Sequence, residues 1–375
     1  MKKHIFFSIV TILLVFCALF VHIDLQKVFA QTSNQQSDLV EATVSKILED
    51  DEMIPSGATT LQPHQKFELI LTNGSHKGKK IVLETGNTPQ ANIQRYLVGD
   101  QLVLNHMKDF QGNDDYEIAD YVRRGALLWL FILFVFVAVV VGTRRGFSSL
   151  VGMGISFAII FLYTLPTIAH GGDSVTATIL SSLLIVPITF YLSHGLNRKT
   201  TVAVVGTFIS LIITGLLANY FVSLARLSGY GSEEAGYLQA YFPGKINIQG
   251  LFLAGIIIGG VGVLNDITVS QAAIVAELRS ASEKISFINL YTRAMNVGHD
   301  HIASMINTLI LVYAGAAMPL LVLFIDNPQP FSQIINYEFM AEEVVRTLVV
   351  SIGLILAVPI TTLLASLIFF KHKKS

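Results

Sequence analysis

Cysteine is nearly absent from this chain of 375 residues, because its one cysteine, Cys17, lies within the apolar run 5–23. A disulfide framework, a cysteine-based zinc cluster and a thiol-redox motif are therefore excluded. Charged residues make up only 14% of the chain and the formal net charge is -1, which excludes a basic nucleic-acid-binding surface. The chain has no Walker A motif (G-x-x-x-x-G-K followed by Ser or Thr), so direct ATP-driven pumping is not expected.

Apolar sequence, by contrast, is abundant. Hydrophobic residues form 52% of the chain and the mean hydropathy is +0.60, which is more apolar surface than one soluble core of this length buries. After residue 125, seven apolar runs are near the ~20 residues that cross a bilayer: 126–142, 147–168, 175–192, 202–224, 248–264, 302–325 and 344–370. The sequence therefore predicts an α-helical polytopic membrane protein with seven spans in residues 125–375.

Residues 1–30 have the pattern of an export sequence. Lys2 and Lys3 precede the apolar run 5–23, and Val28-Phe29-Ala30 offers a cleavage site after Ala30. The run is also long enough for an uncleaved signal-anchor helix, so both alternatives stay open. Each of them exports the residues that follow.

Residues 31–124 are polar and contain short runs with the alternation of β-strands. An Asn-Gly turn at Thr72-Asn73-Gly74-Ser75 predicts a hairpin, since this dipeptide accommodates positive φ values. Short strands in so small a segment are typical of an OB or SH3-like barrel. We interpret this segment as a binding or assembly module. The predicted strands are 39–48, 66–72, 79–84, 101–106 and 116–122.

The loops between the apolar runs carry a charge asymmetry. When the spans alternate in direction, Arg144, Arg145, Arg198 and Lys199 fall on the same side as the C-terminal lysines. Acidic residues dominate the opposite side. By the positive-inside rule, the C-terminus is cytoplasmic, residues 31–124 are extracytoplasmic, and the protein lies in the cell membrane.

The fifth run holds the densest group of candidate residues. Its glycines are Gly255, Gly259, Gly260 and Gly262, and the polar residues that follow are Asn265, Asp266 and Thr268. The first two glycines form a GxxxG pair, which lets another helix approach closely, while the other two continue that surface or break the helix. A broken helix can present carbonyls and a carboxylate to an ion or polar solute. The alternative is that Asp266 only caps the next helix.

A second polar group surrounds the start of the sixth run. Its candidate pathway residues are Asn296, Asp300, His301, Asn307 and Thr308. No metal site is predicted here, because His299 and His301 are two residues apart and point to different sides of a helix. Instead, Gly298 is predicted to end a short helix and Asp300 to cap the next span. The segment 265–301 then forms a cytoplasmic helical loop.

Two further pairs concern the remaining helices. Glu342 and Arg346 are four residues apart, so they share a helix face and form a predicted pair at the outer mouth. Pro187 and Pro359 lie inside their spans, where each removes a helix hydrogen bond and favours a kink.

The membrane half of the chain resembles the YibE/F-like family of bacterial multipass membrane proteins. The residues that carry the resemblance are 255–273, 296–313, 342–346 and 359–362. The resemblance implies an integral membrane protein of a family without an established activity, so it supplies no substrate and no catalytic residue. The resemblance also leaves open that a second YibE/F-like membrane protein is a partner. Membrane lipid is the other expected partner.

From these residues we expect a secondary transporter or permease for a small polar solute or ion, whose identity the sequence does not show. The alternative is a non-transporting membrane scaffold or envelope assembly factor that uses its exported β-domain. An enzyme is not expected, because the spans contain no paired carboxylates of the kind an intramembrane hydrolase needs. No cofactor is predicted.

Overall fold

The computed structural model describes residues 38–371 except for 75, 90–92, 109–111, 283, 323 and 326–328. The predicted signal peptide or signal anchor, residues 1–30, lies outside the described residues. The chain divides into two compact units, Met1–Leu133 and Phe134–Ser375, and each unit has a hydrophobic core of its own.

The first unit contains a five-stranded antiparallel sheet. Alternation along β2 (Gln62–Leu71) places Phe67, Leu69 and Leu71 on the core, where each is at most 1% exposed. Each predicted strand overlaps one observed strand, since this alternation is a local property of the sequence. The other strands are β1 (Asp38–Met53), β3 (Lys80–Thr85), β4 (Gln101–Lys108) and β5 (Asp114–Tyr121).

The sheet is a half-barrel whose strand order is β3-β2-β1-β4-β5, so β3 and β5 are its edges. A small all-β domain is therefore confirmed, whereas its identity as an OB or SH3-like barrel is not. The two edges approach each other through side chains. Lys79, just before β3, donates a hydrogen bond to Asp114 Oδ2 at the start of β5, at 2.8 Å. Together with His106, Lys79 lowers the pKa of Asp114 to about 2.

His64 on β2 is 8% exposed and lies between two carboxylates. Its Nε2 is 3.0 Å from Glu84 Oε1, and its Nδ1 is 2.6 Å from Asp51 Oδ1. These hydrogen bonds, that of Glu84 first, raise the pKa of His64 above its ordinary value of 6.5. The protonated imidazole therefore joins β1, β2 and β3.

This raised pKa predicts that the sheet loses stability as the pH rises. The contribution of His64 is fully present below pH 6.5, the value in the unfolded chain, and is lost as the pH passes through the higher folded pKa. In the full-length protein, backbone amides of β2 and β3 should therefore be less protected from hydrogen exchange above this range than below it, after correction for intrinsic rates. A His64→Gln variant should not show this dependence, and equal protection of the wild type at both pH values would contradict the prediction.

The remaining secondary-structure elements of the described chain are helices. They comprise α1 (Arg124–Ile159), a π-helical turn (Ile160–Thr164), α2 (Leu165–Ala169), α3 (Ser174–His194), α4 (Arg198–Leu224), α5 (Glu233–Tyr241), α6 (Ile248–Ala281), α7 (Phe287–Ala316), α8 (Met318–Val322), α9 (Phe331–Ile334) and α10 (Glu338–Lys371).

Five segments of the described chain are long and apolar enough to cross a membrane. The seven predicted spans are therefore not confirmed, although a multi-pass membrane protein is. The first two predicted runs fall within one segment, Arg124–Ala169. The predicted run 302–325 overlaps α7 and α8, and the exposed face of α7 carries polar side chains. The five segments are Arg124–Ala169, Ser174–His194, Arg198–Leu224, Ile248–Ala281 and Glu338–Phe370.

The segment Arg124–Ala169 contains a sharp break. Thr143 has φ 54° and ψ -134°, which is not helical. A Cβ on Gly146 would lie 2.1 Å from the carbonyl oxygen of Ala138, although these residues would be about 12 Å apart along a straight helix. The chain therefore folds back on itself at this point, which only glycine at position 146 permits.

The residues that cap the N-termini of the helices differ from those that the sequence predicted. Asp266, for which capping was the alternative role, lies inside α6, and Asp300 lies inside α7. Gly298 is also inside α7, so the predictions that Gly298 ends a helix and that Asp300 caps one are wrong. The side chains that do accept a hydrogen bond from the first turn of a helix are Asp173, Asn197, Ser232, Asn247 and Ser286.

Residues 265–301 do not form a separate helical loop. The helix α6 continues to Ala281 and α7 begins at Phe287. Neither α6 at Asn265 and Asp266 nor α7 at Gly298 and Asp300 is interrupted. Pro187 and Pro359 likewise lie inside the continuous helices α3 and α10.

At the centre of the second unit, α4, α6 and α10 pack against one another. A Cβ on Gly206 of α4 would lie 2.5 Å from Thr361 Oγ1 of α10. In the reverse direction, a Cβ on Gly353 of α10 would lie 2.0 Å from Thr214 Oγ1 of α4. These two glycines let the backbones approach closely. Around this centre, α3 packs against α6, and α7 packs against α6 and α10.

Candidate functional site

A cavity of about 600 Å³, lined by both polar and apolar residues, lies between α1, the π-helical turn, α3 and α6. Two of the predicted candidate residues, Asn265 and Asp266, face this cavity. Other polar residues reach it from helices distant in sequence. Its polar lining residues are Ser149, Ser156, Thr189, Ser193, His194, Asn265, Asp266 and Ser270.

One exposed face of α6 is lined by glycines and ends at this cavity, and we refer to this face as the groove. The residues along it are Gly255, Gly259, Gly262 and Asp266, and their spacing of four, three and four residues places them on one side of the helix. A Cβ on the first or third glycine would meet no atom of the described residues within 4 Å, and one on the second would approach only the Tyr313 hydroxyl, at 3.9 Å. The floor of this groove is therefore bare backbone, and its end carries a carboxylate.

Among the described residues, no helix packs against Gly255, and Gly259 contacts α7 only through the Tyr313 hydroxyl. Gly260, on the opposite side of α6, makes ordinary contacts with Leu211 and Thr214 of α4, at 3.6 and 3.8 Å from a Cβ position. Spacing alone reveals which glycines share a face, but not whether a neighbouring helix covers that face.

Asp266 interacts electrostatically with two histidines from other helices. His194 is the last residue of α3, and His301 lies in α7. Of the predicted candidates, Asp266 and His301 therefore lie near enough to interact electrostatically. The sequence analysis did not predict a role for His194, because this residue follows directly after an apolar run. The polar pair Ser193-His194 at the end of that span is the signal that could have identified it. A carboxylate beside imidazoles can bind a cation or exchange a proton.

Thr268, in contrast, is turned away from the cavity. It is fully buried, its hydroxyl donates to the carbonyl of Leu264 at 2.9 Å, and it lies 2.7 Å from Thr207 Oγ1 of α4. It therefore contributes to packing between α4 and α6.

Gln271, which the sequence analysis also missed, joins three helices. Its Nε2 donates to the carbonyl of Ala294 on α7 at 2.9 Å and to Thr362 Oγ1 on α10 at 2.7 Å. Gly298 lies against it, since a Cβ there would be 3.1 Å from this Nε2 and 2.6 Å from Val358 Cγ1. Gly298 is therefore a close-packing position inside α7.

The remaining candidates of the second polar group lie on an exposed face of α7. Asn296, Asp300, Asn307 and Thr308 are all exposed there. The Thr308 hydroxyl donates to the carbonyl of Ser304, one turn earlier, at 3.0 Å. The structure separates this polar face from the cavity lining, which contains none of the four residues.

Glu342 and Arg346 interact electrostatically but form no ion pair within 4 Å. Arg346 instead makes its ion pair with Glu343, at 3.8 Å, and lies over the Phe252 ring. The Glu342 carboxylate accepts a hydrogen bond from the backbone N–H of Gly231 at 3.0 Å. The Glu342 carboxylate therefore bonds a loop amide rather than the arginine. Two residues that share a helix face need not point their side chains toward each other.

Comparison with protein families gives a match that covers these helices. A family model described as YibE/F-like protein matches residues 130–371, which include all the helices around the cavity. Neither the curated proteins nor the solved structures gave a match.

Proposed function

The chain belongs to the YibE/F-like family, and from this premise we propose that it is a secondary transporter or permease for a small polar solute or ion. The observation that carries the proposal is the glycine-floored groove of α6, which leads to Asp266 and the other polar residues of the cavity. A bare backbone surface leaves room for a solute, and an exposed carboxylate within an apolar helix is costly in lipid unless it serves a polar pathway.

We propose the orientation that the loop charges favour. Residues 31–124 are then extracytoplasmic and the C-terminus is cytoplasmic. The break near Thr143, which is followed by Arg144 and Arg145, supports a turn between two spans on the cytoplasmic side. In this orientation Asp266 stands toward the cytoplasmic end of the groove.

In the proposed mechanism, Asp266 supplies the negative charge that holds a cation or a proton at the end of the groove. The imidazoles of His194 and His301 lie near enough to this carboxylate to interact with it electrostatically. The serine and threonine hydroxyls of the cavity replace part of the water shell of the solute.

Flux through proteoliposomes tests this proposal. Vesicles loaded with a pH-sensitive dye and challenged with Na⁺ or K⁺ gradients report proton-coupled exchange. We expect Asp266→Asn and Gly262→Leu to slow the initial rate at least about 10-fold, a factor equivalent to ~1.4 kcal/mol in the barrier. The first variant removes the charge, and the second fills open space in the groove without a steric clash.

The matched control is Gly215→Leu, because Gly215 of α4 also has open space around a Cβ within the described structure but does not line the cavity. Its flux should equal that of the wild type. Unchanged flux in both test variants would exclude the groove as the pathway.

The second candidate function is a membrane scaffold or assembly factor that holds a partner. The exposed polar face of α7 favours it, since amides such as Asn307 are unfavourable against lipid and are satisfied by another helix. The partner we propose is a second YibE/F-like membrane protein. Wild-type vesicles without flux, together with recovery of such a partner in a pull-down, would support this alternative over transport.

A further inference from the structure

Three potential metal ligands from separate elements meet in the β-domain. They are His76 in the β2–β3 connection, His106 on β4 and Asp114 at the start of β5. The His106 Nε2 is 3.1 Å from Asp114 Oδ1, and the His76 Nε2 is 3.9 Å from Asp114 Oδ2. One ligand atom from each of the three residues lies within 4.8 Å of the others.

The separation between His106 and Asp114 is close to the edge of a zinc coordination shell, and His76 is somewhat farther away. Zinc binds imidazole nitrogen and carboxylate oxygen at about 2.0–2.2 Å, so neighbouring ligands of a tetrahedral site are about 3.4 Å apart. Two imidazoles and one carboxylate leave a fourth position for water. Magnesium and calcium prefer shells of oxygen ligands, so this set discriminates against them.

Neighbouring side chains already hold the three groups in place. Lys79 donates to Asp114 Oδ2 at 2.8 Å, which leaves Oδ1 on the side of His106. The Tyr116 ring stacks on His106 with centroids 4.9 Å apart, and the His76 and His106 rings meet edge to face at 5.6 Å. Such supporting contacts orient metal ligands and restrict their rotamers.

The position of this cluster adds a structural reason for a metal. The half-barrel has β3 and β5 as its edges, and side chains bring those edges together beside the cluster. We propose that His76, His106 and Asp114 bind one zinc ion, which fastens the β2–β3 connection to β4 and β5. The inference concerns the β-domain and is independent of the proposed transport.

Zinc binding to the full-length, tag-free protein in detergent tests this site. Calorimetric titration with ZnCl₂ should show one zinc per chain, and His76→Asn and His106→Asn should each weaken binding by at least about 10-fold. Zinc should also slow amide exchange in β5 of the wild type but not of the variants. His76 is the safer position for folding, because it lies in a connection and its side chain is 40% exposed.

His64→Asn is the matched control. His64 also contacts two carboxylates, but through opposite ring nitrogens, so its three groups do not surround one point. This variant should bind zinc as the wild type does. A wild type that binds no zinc, or undiminished affinity in both test variants, would overturn the inference and leave the cluster as an ion-pair network.

Discussion

Valine in place of Gly353 is expected to lower the free energy of unfolding of the membrane unit by about 3 kcal/mol. Gly353 is buried where α10 crosses α4, and its missing side chain is the reason that the two helices approach so closely. A Cβ there would lie 2.0 Å from Thr214 Oγ1 and 3.2 Å from Thr214 Cβ. Rotation of the threonine cannot relieve the second contact, so the helices must separate. Unfolding of the detergent-solubilised protein in increasing SDS measures the loss.

The control for this substitution is Gly215→Val, on the same helix as Thr214. A Cβ on Gly215 meets nothing within 4 Å among the described residues, so valine there should leave stability within about 0.5 kcal/mol. Thr214→Ala in the Gly353→Val background removes two of the crowding atoms and should recover part of the loss. Equal stability of Gly353→Val and Gly215→Val would show that α4 and α10 do not pack closely at Gly353.

Alanine in place of Gln271 is expected to destabilise the same unit by about 2–4 kcal/mol. The side chain is fully buried and donates to Ala294 on α7 and Thr362 on α10. Truncation removes both hydrogen bonds and leaves a cavity where three helices meet. Because Gly298 packs against the amide, α7 loses part of its contact surface as well. The same SDS titration measures this effect.

Gln249→Ala is the comparison for Gln271. Gln249 lies in the first turn of α6 and makes one hydrogen bond, from its Nε2 to the carbonyl of Leu227 at 2.6 Å. It is half-buried, so its truncation should cost about 1 kcal/mol. If both variants lost the same stability, the network around Gln271 would not be a distinct link between α6, α7 and α10.

The predictions that held depend on local patterns. Each β-strand was predictable because alternate apolar residues, such as Phe67 and Leu69, follow one another along the chain. The apolar helices were predictable because a long apolar run is also a property of neighbouring residues. The position of Asp266 was predictable as a polar residue near the end of an apolar run, but its interior place in α6 was not. Continuation of a helix through Asn265 and Asp266 depends on the surrounding helices, which local propensity does not describe.

The sequence by itself determined that this chain is a membrane protein of the YibE/F-like family with a small β-domain, because composition, hydrophobic period and motif are properties of neighbouring residues. Only the tertiary structure decided which glycines contact another helix, that Glu342 binds Gly231 rather than Arg346, and that His76, His106 and Asp114 meet. These outcomes join residues far apart in the chain, and their energies depend on close packing in three dimensions. A periodic pattern identifies the face of an element, whereas the neighbour of that face depends on how all the elements pack together.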